Sequence, residues 1–222
     1  MTVIPRSHAL VARNQENLEQ CLAGRFIREA SDDSLARRAF ARYLSIEEQF
    51  VKTAVRVSAF TLFAEPEWAS ISHHAATIEA LLGTQLDYFH ETRSRHTDVP
   101  EDIARAVKQS SVLSDYVLDS ISTGGYAGAI VNMFAAETLY LEWCSRAAAS
   151  RVLNPEMALD AWIDLHVSPA FKEQVRTLGA LVDLLPEHKT EGGASDDQLD
   201  SWFRDMLSAE DSFHDAIYFT GE

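Results

Sequence analysis

The chain has 222 residues, 46% of them hydrophobic, with only nine Gly and six Pro, which favours long regular helices over turn-rich β structure. Nineteen Lys and Arg against 34 Asp and Glu give a formal charge of −15. That charge repels phosphate backbones and anionic lipid, so no nucleic-acid partner and no membrane partner is expected. Two cysteines, Cys21 and Cys144, make neither a disulfide framework nor a metal cluster. With no signal-like apolar run at the N-terminus, they suit a cytoplasmic protein.

In chain order, His8 to Leu22 carries Leu10, Val11, Leu18 and Leu22 at helical spacing. Ser31-Asp32-Asp33-Ser34 reads as an N-cap cluster ahead of a long amphipathic helix. In that helix Phe40, Tyr43, Leu44, Phe50, Val51 and Val55 recur every three to four residues, and it ends near Glu65-Pro66. A further helix is expected over 67–91. Another starts at Pro100-Glu101 and runs to about Ile121. Gly124-Gly125 is a break. Tyr126 to Cys144 is apolar nearly all round, with Glu137 and Glu142 its only charges. Two carboxylates and no basic flanks make it a central buried helix and not a membrane span.

Asn154-Pro155 opens a short helix through Trp162 and His166, Ser168-Pro169 opens the next, and Ser195-Asp196 caps the last, which reaches Tyr218. The polar run 187–197 is a surface loop, not a domain boundary. The whole is one domain, residues 1–222, an all-α bundle of about eight helices with short connections.

Glu47, Glu137 and Glu210 each sit in apolar surroundings, and a buried carboxylate requires a partner, structural or functional. No phosphate loop, nucleophile elbow or HEXXH motif occurs. His73 and His74 are adjacent and point to different faces of a helix. The nearest approach to a di-iron ligand set is Asp160, Asp164 and His166, but His166 lies roughly 200° around the helix from Asp164. No metal site and no cofactor is expected.

Four blocks in order resemble the TenA (thiaminase II) family. They are Phe26-Ile27 followed by SLARRAFARYLSIEEQF, then GGYAGAIVNMFAAETLYLEW, AWIDLHVSPAF and AEDSFHDAIY. The resemblance implies a haem-oxygenase-like helical bundle without haem, a small-molecule heterocycle such as a pyrimidine as ligand, and a homo-oligomer, dimer or tetramer. Carried over residue by residue, the family's pyrimidine-binding Asp falls on Glu47 and the Tyr three residues later on Phe50. The nucleophilic Cys falls on Ala136, while the Tyr four residues beyond it is retained as Tyr140. The Tyr of the W-I segment falls on His166, and a further ring-stacking Tyr falls near Leu113. The proton-donating Glu of the last helix is retained as Glu210, with Phe213 beside it.

Independently of the family, Glu47 and Phe50 are i, i+3, while Ala136 and Tyr140, and Trp162 and His166, are i, i+4. Each pair therefore shares a helix face and can aim at one central cavity. Ala136 offers no nucleophile, so ordinary thiaminase II activity is not expected. The resemblance leaves three readings. The first is a divergent hydrolase of C–N bonds in an aminopyrimidine or related heterocycle, with Glu210 as acid, Glu47 orienting substrate or activating water, and His166 as a base at neutral pH. The second is a non-catalytic metabolite binder with the same pocket. The third is an oxidase of the same fold, with or without metal.

Overall fold

The computed structural model describes residues 4–65, 67–95, 102–150, 158–187 and 192–218. In these the chain is helical almost throughout: α1 Arg6–Arg13, α2 Gln15–Leu22, α3 Arg25–Ser31, α4 Arg37–Ala64, α5 Trp68–Ala80, α6 Leu86–Arg95, α7 Ile103–Ser150, α8 Ala158–His166, α9 Pro169–Leu184 and α10 Asp196–Asp215. A π-helical turn, Leu81–Gln85, joins α5 to α6. A single isolated β-bridge, Glu187 to Ala194, is the sole β feature among the described residues.

The expected elements are present, with instructive differences. The single N-terminal helix is two, because Asn14 leaves helical geometry (φ −101°) and its buried side-chain amide donates to the Leu10 carbonyl and to Asp200. The short helix α3 is an addition. The cluster Ser31 to Ser34 does not cap α4. It folds its own turn, with Asp33 at φ 61° and Asp32 accepting from the Ser34 amide, and α4 starts at Arg37 without a side-chain cap. Ser168 and Ser195 do cap α9 and α10. Ser168 Oγ accepts from the Phe171 amide, and Ser195 forms a reciprocal capping box with Gln198. The expected helix starts at Pro100-Glu101 and at Asn154-Pro155 lie outside the described residues.

Helix α7 forms the axis. It packs against α10, α4, α9 and α8, and no residue of its 126–144 stretch is exposed, which is why that stretch is apolar on nearly every side. No helix is long and apolar enough to cross a membrane among the described residues. At Gly125 the backbone leaves helical geometry (φ 57°, ψ −144°), a region open to glycine and little else. Two helical segments meet there and turn back on one another: the Tyr116 hydroxyl donates to Asn132 Oδ1 and Asn132 Nδ2 donates to Ser120 Oγ, contacts that one continuous helix could not make, so the expected break is present within α7.

A buried polar lock fixes α4 and α5 to this break. Glu65 faces His74 Nε2 at 3.0 Å, the Tyr126 hydroxyl donates to the same carboxyl oxygen, and His74 Nδ1 lies 3.3 Å from Thr61 Oγ1. At the other end fully buried Arg42 donates to Asp102 with two nitrogens (3.0 and 2.5 Å) and to the Ile217 carbonyl (2.9 Å). This ties α4 to the entry of α7 and the exit of α10.

Candidate active site

Glu47 lies mid-way along α4, 5% exposed, because the helix turns its polar face outward and this position faces α7. The Tyr140 hydroxyl donates to Glu47 Oε1 at 2.5 Å, and Tyr43, one turn before Glu47, adds a second hydroxyl. Tyr140 lies 3.4 Å from both the Tyr43 hydroxyl and His214 Nε2. Its single proton goes to the carboxyl group, so toward His214 its oxygen can only accept, which requires the proton on Nε2. Burial pushes the Glu47 carboxyl up to about 7, with the two phenols pulling against that rise.

Glu210 on α10 is 1% exposed, and its Oε2 has no hydrogen-bond partner among the described residues. Burial, then the charges of Glu47 and Glu137, hold it well above the carboxylate range. Both effects favour its protonated form. Glu137, half-buried, is the third acid of the set. Its Oε1 accepts from Gln174 Nε2 at 3.1 Å, and burial followed by repulsion from Glu47 raises it to about 8.

His166 ends α8, with its ring against Trp162 (4.3 Å between centroids), Phe171 (4.7 Å) and Tyr140 (5.1 Å). Its Nδ1 is 2.8 Å from the Trp162 carbonyl, which can only accept, so the proton sits on Nδ1 and Nε2 keeps its lone pair. Burial pulls the imidazole down to about 4. Burial thus favours the neutral imidazole, with the free Nε2 that the expected general base requires.

Beside these acids is a cavity of about 80 Å³, enough for several waters or one small ring. Phe50, Ala54 and Val57 of α4, Met133, Ala136 and Glu137 of α7, Gln174 of α9 and Met206 of α10 line it. Ala80, Leu81 and Gln85 form another wall. Ala80 and Gln85 can face the same way because the π turn repeats i to i+5, a feature with no sequence signature. A more open groove shares Thr77, Ala80, Gln85 and Gln174 with the cavity, giving it an approach from the surface between α5 and α9.

Of the residues expected from sequence, Phe50 and Ala136 line the cavity. Glu47, Tyr140 and Glu210 lie together behind that lining. Phe213 is buried against Phe50, with ring centroids 5.7 Å apart. Leu113 is a fully buried core residue and is not part of the cavity wall. Tyr43, His214 and Gln174 were not anticipated as site residues. Tyr43 at i−4 from Glu47 was legible as a same-face neighbour, whereas Gln174 needed the packing of α9 on α7. Among the described residues no group of three or more His, Cys, Asp or Glu is arranged to hold a metal ion. Asp160 and Asp164 do not gather with His166 into such a group.

The chain resembles solved structures over nearly its whole length. A TenA homologue from Pyrococcus furiosus shares 18% identity at a TM-score of 0.76, covering 96% of this chain and all of that one. A TenA homologue from P. horikoshii OT3 shares 13% at 0.80, covering 96% and 98%. A putative TenA-like thiaminase from Sulfolobus solfataricus P2 shares 15% at 0.71, covering 97% and 96%. At such identities these likenesses establish the fold, an all-α haem-oxygenase-like bundle. No curated protein matches the chain by sequence. The TENA/THI-4/PQQC family model matches residues 12–219, so the bundle and its enclosed acidic site are those of a chain that belongs to the TENA/THI-4/PQQC family.

Proposed function

We propose that this TenA-like protein is a divergent hydrolase that cleaves a C–N bond of an aminopyrimidine or related small heterocycle without a cysteine nucleophile. The observation that carries the reading is the pairing of two buried carboxyls with different proton affinities. Glu47, held by Tyr140 and Tyr43, exchanges its proton near neutrality, while Glu210 stays protonated. Water attacks the ring carbon as Glu47 takes its proton, a C–O bond forms and the C–N bond breaks. Glu210 gives its proton to the departing amine. The phenols keep Glu47 oriented, and Phe50 supplies a face for the ring.

The test is hydrolysis of thiamin and of aminopyrimidines followed by product detection. Turnover is expected, and Glu210→Gln should lower it by about 10²–10⁴ while ligand binding persists. Unchanged turnover in that variant would sink the assignment.

One observation favours a second reading, a non-catalytic binder: Glu47, Tyr140 and Glu210 stand behind the cavity wall and not in it. Thermal stabilisation by a pyrimidine with no product formed would select it. The exposed rings of Phe63 and Trp68, 87% and 84% accessible at the corner between α4 and α5, support self-association into a homo-oligomer, to be read by sedimentation.

A further inference from the structure

Three acids stand at one cavity, Glu137 half-buried in its wall and Glu47 and Glu210 buried behind it, and no Lys or Arg is among its lining residues. The groups that act on Glu47, Glu137 and Glu210 are burial, one another, two tyrosines and Gln174. Arg42, the fully buried guanidinium of α4, is committed to Asp102 and the Ile217 carbonyl. Glu137 is the carboxyl among the three that lines the cavity, one residue from Ala136, whose methyl leaves space where a longer side chain would stand. Glu210 Oε2 has no partner although the residue is 99% buried, a donor or acceptor position left open in the heart of the core. An apolar shell with several acids and no basic side chain is costly when empty and strongly attractive to a positive charge, since a cation lets the acids ionise in low dielectric.

We infer that Glu137 is the specificity-determining residue of this cavity and that it selects a ring compound bearing a protonated amine or amidine, holding that group between its own carboxylate and the Gln174 carboxamide. The inference rests on the proposed ligand site, deepening it from heterocycle to cationic heterocycle. Phe50 and Met206 would cover the ring, and Glu210 and Glu47 lie close enough to add their field. Gln174 is suited to the task because its amide already donates to Glu137 Oε1 and leaves its carbonyl oxygen to accept from the ligand's N–H.

Calorimetric titration of the full chain with benzylamine and with benzyl alcohol, a charged and a neutral molecule of nearly the same shape, tests this. Benzylamine is expected to bind at least about tenfold more tightly, the usual reach of a charge-assisted hydrogen bond. Glu137→Gln should bring the two to within about twofold. Because a core variant can lose its fold, Gln174→Lys at the cavity mouth is the companion. Its ammonium beside Glu137 should abolish benzylamine binding and spare benzyl alcohol. Equal affinities in the unaltered protein, no binding of either probe at millimolar concentration, or a preference for benzylamine that survives both substitutions overturns the inference. Neither probe needs to react, so these outcomes are independent of whether a pyrimidine is hydrolysed.

Discussion

At the scale of the residue, the site is governed by burial more than by any ion pair. Ala136 stands where the family resemblance places a thiol, and it faces the cavity. The two native cysteines are free and buried, and Cys21, its thiol pushed far up by burial, hydrogen-bonds the Leu207 carbonyl. Native protein should therefore react negligibly with a thiol reagent, whereas Ala136→Cys should present one modifiable thiol per chain, protected by any cavity ligand. Two reactive thiols before substitution would contradict the packing described for α2 and α7.

Burial also sets the pH response. Glu47 and Glu137 have folded-state values raised to about 7 and 8 from 4.5, so the stability they lend is full below 4.5 and is lost as pH rises through those values. His166 and His214 run the other way. Their values fall from 6.5 to about 4 and about 3, so their contribution is present above 6.5 and lost on acidification. The two effects oppose one another between 4.5 and 6.5, and above 6.5 the carboxyls act alone. Urea unfolding should show stability declining from pH 6.5 to 8, and Glu137→Gln should flatten that decline. An unchanged slope would mean that Glu137 is ionised and solvated in the folded state.

At the scale of the element, the double glycine is the turn between the two helical segments of α7. Gly125 occupies a backbone region closed to other residues, with open space around its α-carbon, so Gly125→Ala should cost about 1–3 kcal/mol through backbone strain alone. Gly124 differs in cause. A Cβ there would meet the Trp202 ring at 2.7 Å, so its requirement is close approach of α10 and not φ. Denaturant midpoints of the Gly125 variant, with Trp202 fluorescence unchanged, would separate the two effects. The Gly-Gly pair was readable as punctuation. How the two segments lie against their neighbours is held by the Glu65–His74–Tyr126 lock and by Trp202, both formed by residues distant in the chain. The split at Asn14 has the same origin, since its amide is drawn to Asp200 on α10.

At the scale of the whole molecule, a formal charge of −15 is distributed over a helical chain of 222 residues. Self-repulsion of that size opposes compaction, and salt screens it. The melting temperature should therefore rise as sodium chloride goes from about 10 mM, where the Debye length is about 30 Å, to about 100 mM, where it is about 10 Å. A fall would show that surface pairs such as Arg146 with Glu19 and Glu142 outweigh the net repulsion.

The sequence by itself determined the helical class, the central apolar helix and the caps at Ser168 and Ser195. These follow from a 3.6-residue period and from side chains three or four apart, which are local properties. Tertiary structure alone decided that Leu113 belongs to the core, that Gln174 meets Glu137, that a π turn walls the cavity and that His166 is buried among aromatic rings. Each of these depends on which helices lie against one another and on how much water their packing removes, quantities fixed by contacts between distant segments and not by spacing along the chain.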